Sequence, residues 1–157
     1  MIAPVVSAGM LIRRPVAEVF EAFVDPAITR RFWFTDGSGP LKPGARVAWT
    51  WAMYGFTSPV IVRDFEPNRR IAIDWGEGEG LTRVVWTFDA RGDQTFVAVE
   101  QSGFRGADDV RMTAAVDGAD GFALVLAGAK IWLEHGIEPG FVPDRMPDAR
   151  VADWKDR

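Results

Sequence analysis

The sequence predicts an α+β fold in which a curved antiparallel sheet wraps around one long C-terminal helix, with two short helices after the first strand. The first observation behind this prediction is that apolar residues recur with a period of two in several segments between residues 46 and 101, as in half-buried strands. The second is the apolar segment 121–136, which is long, almost free of charge and follows the alternating region. Because an antiparallel sheet needs one covered face, we expect this helix to lie across it.

The first 32 residues predict one strand and two short helices. Residues 5–12 form a mildly apolar run, which favours a strand. Pro15 suits the first position of a helix, and the apolar residues that follow it recur at helical spacing. Asp25 and Pro26 then predict the N-cap and the first residue of a second helix, which ends near residue 32.

Consecutive strands joined by short turns are predicted in the middle of the chain. Residues 36–44 are rich in glycine and proline, which favours a loop before the first of these strands. The strands are predicted at 46–51, 60–65, 71–75, 82–88 and 95–101. Their connections include the glycine-containing turns 76–80 and 91–93, and short connections of this kind favour an antiparallel meander. Residues 103–117 are expected to be irregular.

The C-terminal helix has two apolar faces. The stripe expected to face the sheet consists of Phe122, Val125, Leu126, Ala129 and Leu133. The opposite face carries Leu124, Gly128 and Ile131, followed by the only histidine, His135, for which we expect a structural or capping role. A helix that is apolar on two sides is covered on two sides. The second cover is expected to be either the segment 139–157 or a second subunit, and we hypothesise a homodimer through Leu124, Gly128 and Ile131.

Length and composition predict a single domain over residues 1–157. Its core is placed at about 6–142, with 143–157 as a C-terminal tail. A net charge of -4 with scattered arginine pairs provides no basic patch for nucleic acid. No uncharged run is long enough for a membrane span, and the lack of cysteine suits the cytoplasm. With one histidine and no cysteine, the usual zinc centres are excluded, and no cofactor is expected.

Aromatic residues on the predicted inner faces suggest a cavity between the sheet and the helix. The predicted lining consists of Phe20, Phe23, Trp33, Trp49, Trp51, Trp75, Trp86, Phe88, Gln101, Phe122, Val125, Ala129 and Leu133. The rings either fill this space as core or offer flat faces to a ligand, and the sequence leaves both alternatives open. Gln101 is the best inward polar candidate, because it is in phase with Val97 and Val99. Its alternative role is a satisfied amide at the end of a strand.

Several short motifs give the chain a resemblance to a known superfamily. They are 14–23, Asp25-Pro26, Phe32-Trp33, Pro43-Gly44, 84–88, 102–104 and 126–136. Over about residues 6–142 the chain resembles the START and polyketide-cyclase-like superfamily, and within it the proteins similar to the C-terminal domain of the activator of heat-shock-protein ATPase. The resemblance implies a helix-grip fold of the START and birch-pollen-allergen type with an internal cavity, and it implies no particular reaction. The co-chaperone domain of that family normally works beside a second domain, which is not predicted within these 157 residues.

Three functions are compatible with this sequence. We favour the binding of a small hydrophobic or aromatic molecule in the cavity. The second is a cyclase or dehydratase acting on a polyketide-like carbonyl compound, which requires an inward proton donor and acceptor. The third is a co-chaperone-like or regulatory interaction module, which predicts a filled core and an exposed apolar patch. No catalytic constellation is recognised: Tyr54 is expected in a turn, and Asp74 and Glu100 are out of phase with the inner faces.

Overall fold

A computed structural model of the chain describes residues 3–155. Its strands are β1 (Val6–Ile12), β2 (Asp36–Gly37), β3 (Arg46–Trp51), β4 (Phe56–Glu66), β5 (Arg70–Trp75), β6 (Thr82–Arg91) and β7 (Gln94–Ser102). Its helices are α1 (Val16–Val24), α2 (Pro26–Thr29), α3 (Asp108–His135) and α4 (Phe141–Arg145). The strands form one antiparallel sheet in the order β1-β7-β6-β5-β4-β3-β2, curled against α3. The predicted α+β helix-grip architecture is confirmed.

Proline and aspartate set the starts of the two short helices. Pro15 occupies the N-cap of α1 rather than the predicted first helical position. Asp25 caps α2, because its Oδ1 accepts a hydrogen bond from the Ala27 backbone N–H at 2.9 Å, and Pro26 follows as the first helical residue. Helix α2 ends at Thr29, earlier than predicted, so the residues after it enter the core directly.

Strand β2 lies in the stretch that the sequence predicted as a loop. Asp36 and Gly37 pair with Thr50 and Trp49 of β3 and extend the sheet at this edge. Glycine is needed here for close packing, since a Cβ on Gly37 would lie 2.7 Å from the Cβ of Pro26. The glycine that indicated a loop therefore allows a strand to pack tightly.

Helix α3 begins at Asp108, so the prediction of irregular structure is correct for 103–107 and wrong for 108–117. Asp108 and Asp109 occupy its first turn, where acidic side chains stabilise the positive end of the helix dipole. The apolar side chains of this first half are not gathered on a buried stripe, because Val110 and Met112 are both exposed. This half of α3 borders an unfilled part of the fold, whereas the second half covers the core.

The core fills one end of the space between the sheet and α3. The ring of Trp33 packs edge-on against rings of the sheet and of the helix, with centroid distances of 4.9 Å to Trp49, 6.0 Å to Trp86 and 5.7 Å to Phe122. Helix α3 is long and apolar enough to cross a membrane by length and composition alone. Its Leu126 is nevertheless completely buried against the sheet, which is the position of a core helix.

The opposite face of α3 is covered by segments of the same chain. A Cβ on Gly128 would lie 3.2 Å from the Cβ of Phe32 and 3.4 Å from the Cγ of Pro139, so glycine lets the helix approach both segments. Leu124 and Ile131 are half-buried. The C-terminal tail therefore provides part of the second cover that the sequence required. The hypothesis of a homodimer through this face is corrected accordingly, because Gly128 is not available to a partner.

A polar network fixes the C-terminal half of α3 to the end of β1. Lys130 Nζ donates to the Leu11 carbonyl oxygen at 2.8 Å and to the Glu134 carboxylate at 2.6 Å. The same carboxylate accepts a hydrogen bond from the Arg13 backbone N–H at 3.0 Å. Burial opposes ionisation of Glu134, but these donors outweigh it and lower the pKa of its carboxyl group. His135 is exposed in the last turn of the helix.

Candidate ligand-binding cleft

A cleft lies between the N-terminal half of α3 and the sheet. It consists of an inner cavity of about 180 Å³ and an outer cavity of about 610 Å³. The two cavities adjoin at Phe56, Trp75, Asp117 and Gly118, which line both. The volume of the outer cavity is within the range of roughly 300 to 1,000 Å³ that is usual for small-molecule sites.

Aromatic rings form the walls of the inner cavity. Trp33, Trp51 and Trp75 line it together with Phe122 of α3. The ring centroid of Trp75 lies 5.8 Å from that of Trp33 and 5.9 Å from those of Trp51 and Phe122. Trp75 is only half-buried, whereas Trp51 is 5% exposed. Part of the Trp75 ring therefore remains free to pack against an apolar or aromatic molecule.

Two polar side chains, Thr82 and Gln101, lie in the wall of the outer cavity. Strand register brings them together: Thr82 pairs with Trp75 across β5 and β6, and Gln101 pairs with Val84 across β6 and β7. Thr82 and Gln101 are therefore diagonal neighbours on the inner face of the sheet. Gln101 Nε2 donates to Thr82 Oγ1 at 3.0 Å. Gln101 Oε1 is buried without a hydrogen-bond partner.

Helix α3 meets the Gln101 carboxamide at Gly118. A Cβ at this position would overlap with Gln101 Oε1. Glycine inside a helix costs roughly 0.5 to 1 kcal/mol relative to alanine. Gly118 therefore lowers the stability of α3 but allows the helix to approach the Gln101 side chain closely. At Gly121 a Cβ would have only Arg145 Nη1 within reach, at 3.9 Å, because the neighbouring space belongs to the inner cavity.

The segment 141–151, which we call the strap, closes one side of the inner cavity. The strap residues that line the cavity are Val142, Arg145 and Met146. Arg145 anchors the strap to α3, with ion pairs of 2.6 Å to Asp117 and 2.6 Å to Asp120. Burial of the guanidinium works against its charge, but the two carboxylates outweigh this effect and raise the pKa of Arg145.

Two further hydrogen bonds hold the strap to the turn after β3. The hydroxyl group of Tyr54 donates to the Val142 carbonyl oxygen. The Val151 backbone N–H donates to the Met53 carbonyl oxygen at 2.8 Å. Burial raises the pKa of Tyr54, because the phenolate form would lose water contacts in this position. The strap is therefore attached on both sides of the inner cavity.

The structure divides the predicted lining residues into two groups. Those at the cleft are Trp33, Trp51, Trp75, Gln101, Phe122 and Val125. Those in the packed core away from the cleft are Phe20, Phe23, Trp49, Trp86, Phe88 and Ala129, with Leu133 partly buried against them. Strand alternation assigns a side chain to the inner face, but it does not distinguish the filled end of that face from the open end.

Sequence reasoning missed the cleft residues that come from turns and from the tail. Phe56 lines both cavities although it is 53% exposed, and Gly118 lies between the stretch 103–117 that was predicted to be irregular and the apolar segment 121–136. The tail was expected to be coil lying against the domain. Its apolar residues are separated by prolines and charges, so only Val142 and Met146, four residues apart, could have indicated a helical turn.

The polar side chains that line the cleft are of neutral and of charged types. Gln101 contributes a carboxamide and Thr82 a hydroxyl group, and neither ionises near neutral pH. The carboxylates of Asp117, Glu77 and Glu79 lie at the rim, and that of Asp117 is paired with Arg145. Within residues 3–155, His, Cys, Asp and Glu side chains form no group of three that could hold a metal ion.

The model of the family described as Activator of Hsp90 ATPase homolog 1-like protein matches residues 13–127. The chain belongs to this family. In this family member the match includes the sheet from β2 to β7 and the half of α3 that borders the cleft, whereas the strap lies beyond the matched residues. No curated protein of known function matches the chain.

Solved structures share the fold of this chain over most of its length. A protein from Staphylococcus saprophyticus is 25% identical, with a TM-score of 0.74, over 86% of this chain and 95% of that one. CalU16 from Micromonospora echinospora is 20% identical, with a TM-score of 0.69, over 94% of this chain and 84% of that one. Aha1 from Colwellia psychrerythraea, whose solution structure is a dimer, is 18% identical, with a TM-score of 0.68, over 85% of this chain and 98% of that one. The last two similarities concern the fold alone.

Proposed function

We propose that this protein binds a small hydrophobic or aromatic molecule in the cleft between the sheet and α3. The observation that carries the proposal is the inner cavity, an unfilled space walled by Trp33, Trp51, Trp75 and Phe122. These rings also pack against one another, with centroid distances of 5.8 Å between Trp33 and Trp75 and 5.9 Å between Trp75 and Phe122. A bound ring would extend this packing and would remove further apolar surface of the walls from water.

The alternative of a cyclase or dehydratase has weaker support. Such an enzyme needs a proton donor and a proton acceptor directed at the substrate. The buried polar side chains that line the cleft, Ser58, Thr82 and Gln101, are all neutral. We therefore propose a binding protein rather than an enzyme.

The proposed compartment is the cytoplasm. A reducing environment suits a chain without cysteine, because such a chain needs no disulfide bond.

Self-association is a second candidate function, favoured by an exposed stripe on α3. Met112 is 44% and Val116 67% exposed, and Ala119 and Ala123 lie on the same side of the helix. The similar Aha1 from Colwellia psychrerythraea forms a dimer. A homodimer of this chain would use this stripe rather than the face covered by the tail. Sedimentation velocity tests the idea: we expect a dimer that Val116→Glu converts to monomer, and a monomeric wild-type protein at micromolar concentration would refute it.

Nuclear magnetic resonance can test the proposed cleft with 2-methylnaphthalene as the probe. The chain has seven tryptophans, and each contributes one indole N–H signal to a ¹H–¹⁵N spectrum. We expect saturable shifts of the signals from Trp33, Trp51 and Trp75, which line the inner cavity. The signal of Trp132, whose ring packs beneath the Arg31 guanidinium near the far end of α3, should change little.

A matched pair of variants decides whether the probe occupies the inner cavity. Gly121→Leu places a side chain into that space, because the position borders the cavity and has little else nearby. Ala17→Leu adds the same side chain at an exposed position of α1, which lines neither cavity. Binding should be lost in Gly121→Leu and kept in Ala17→Leu. Unchanged binding in Gly121→Leu would contradict the proposed site.

A further inference from the structure

The polar pair in the wall of the cleft has one hydrogen-bonding atom without a partner. Gln101 is 6% and Thr82 8% exposed, so both side chains are withdrawn from bulk water. The carboxamide of Gln101 uses Nε2 to donate to Thr82 Oγ1, while its Oε1 accepts no hydrogen bond. Most buried side-chain polar atoms in native proteins have a partner, so this orphan, in a residue that lines the outer cavity and packs against Gly118, requires an explanation.

The surrounding residues indicate that a polar group at position 101 is accommodated at a cost in stability. Gln101 continues the inner face of β7 after Val97 and Val99, which are almost completely buried. An apolar side chain would extend that face without leaving an unpaired oxygen. On α3, Gly118 leaves room for the carboxamide although alanine is a better helix former. Gln101 on β7 and Gly118 on α3 are thus both less stabilising than the alternatives at their positions, and together they place the carboxamide here.

We propose that Gln101 and Thr82 form a hydrogen-bonding subsite for a hydroxyl group on an otherwise flat, apolar ligand, such as a phenol. This inference rests on the proposed function, because it requires the ligand to occupy the cleft. Thr82 Oγ1 accepts the hydrogen bond from Gln101, so its own hydroxyl hydrogen remains to be donated. A ligand hydroxyl group donates to Gln101 Oε1 and accepts from the Thr82 hydroxyl group.

A hydroxyl group fits this subsite in either orientation of the carboxamide. If the amide is turned, Thr82 donates to its oxygen and the NH₂ group faces the ligand instead. A hydroxyl group both donates and accepts, so it satisfies each arrangement. The aromatic part of the ligand then lies toward Trp75, because Trp75 pairs directly with Thr82 in the sheet.

The charges around the outer cavity favour a neutral ligand over an anion. Glu77, Glu79 and Asp117 line this cavity together with a single arginine, Arg105. Carboxylates at a rim repel an incoming anion, and neither charge is compensated for the water that it loses on binding. A phenol stays neutral at physiological pH, since its ordinary pKa is about 10.

The test compares two probes of nearly the same shape, 2-naphthol and 2-methylnaphthalene, by isothermal titration calorimetry. In the wild-type protein we expect 2-naphthol to bind about tenfold more tightly, the effect of one net hydrogen bond to a buried group. In Gln101→Met, which keeps a side chain of similar length, the two probes should bind equally. Gln94→Met, at the start of the same strand β7, should keep the preference.

Each outcome separates the subsite from the cleft itself. Equal binding of both probes to the wild-type protein, or a preference that persists in folded Gln101→Met, would overturn the subsite and leave the cleft proposal intact. Failure of both probes to bind would overturn both proposals. Thr82→Val, which keeps the shape of the side chain and removes its hydroxyl group, provides a second test if Gln101→Met does not fold. It should also reduce the preference for 2-naphthol, and an undiminished tenfold preference would overturn the role of Thr82.

Discussion

The Oε1 atom of Gln101 lies so close to Gly118 of α3 that the methyl group of an alanine at position 118 would overlap with it. Substitution of Gly118 by alanine therefore has two opposing effects. The helix gains about 0.5 to 1 kcal/mol from its propensity, but the buried carboxamide must leave Thr82. We expect little or no net gain in the free energy of unfolding, measured by chemical denaturation.

Gly121→Ala is the matched control for this prediction, because it makes the same change one turn further along α3. A Cβ at position 121 meets only Arg145 Nη1, at an ordinary contact distance of 3.9 Å. The full propensity gain of about 0.5 to 1 kcal/mol should therefore appear. Equal stabilisation by Gly118→Ala and Gly121→Ala would show that the carboxamide is not held where the structure places it.

The single tyrosine offers a test of the strap through its ionisation. Burial raises the pKa of Tyr54 in the folded protein. An unfolded chain releases this proton near pH 10 while the folded protein retains it, so stability is fully present below pH 10 and falls as the pH rises above about 10. Absorbance at 295 nm should give a titration midpoint above the ordinary value.

Denaturation of the wild-type protein and of Tyr54→Phe between pH 9 and 11 isolates the contribution of this residue. Any other group that ionises in this range does so in both proteins, so only the difference between the two stability curves is informative. That difference should change above about pH 10. A tyrosine midpoint at or below 10 would mean that Tyr54 is not desolvated beside Val142.

Removal of the Arg145 side chain should loosen the strap. Arg145→Ala breaks the ion pairs to Asp117 and Asp120. The carboxylates are largely exposed, so the loss in stability is expected to be only about 1 kcal/mol. Hydrogen exchange should report it more sharply, with faster exchange of the Val151 backbone amide that bonds to Met53.

Arg14→Ala is the control for the arginine substitution. Arg14 pairs with Glu18 on the surface of α1, at 2.9 Å, far from the strap in sequence. Its loss should leave the exchange rate at Val151 unchanged. If Arg145→Ala and Arg14→Ala have the same effect there, the ion pairs of Arg145 do not anchor the strap.

Two tryptophans on neighbouring strands should separate stability from binding. Trp86 is 1% exposed among the core rings, so Trp86→Ala is expected to cost about 3 to 5 kcal/mol in unfolding free energy. Trp75 is half-buried at the cleft, and Trp75→Ala should cost less but abolish binding of 2-methylnaphthalene. Comparable destabilisation by both changes, with binding retained in Trp75→Ala, would show that 2-methylnaphthalene does not bind beside Trp75.

The fold was predictable because its main signals are local. The alternation of Val47, Trp49 and Trp51 defines β3 and its inner face, and the Asp25 cap defines the start of α2. The first half of α3 was missed because a helix is recognised in a sequence by apolar residues that recur on one buried face, and this half has no such face. This half borders a cleft, and Val110 is accordingly exposed.

The site was predictable only in part, because its limits depend on contacts between distant residues. Gln101 was identified from its phase in β7, and the structure places it in the cavity wall. The fact that Trp49 packs against Phe34 while Trp75 borders the cleft depends on where α3 and the strap lie. The strap was expected only as coil against the domain, since the pairing of Arg145 with Asp117 spans 28 residues of sequence.

Helix α3 has one half held by the core rings and by Lys130, and another half that borders the cleft at Gly118 and Gly121. The residues of α3 that line the proposed cleft, from Gly118 to Val125, and the residues that fix the helix to β1, at Lys130 and Glu134, therefore lie at different positions along a single helix. Over evolutionary time, substitutions in the first of these stretches and in the facing strands would change the proposed ligand while the contacts of the second are kept. Selection for a folded chain would act mainly on the second half, and family members would then share a scaffold while differing in what they carry.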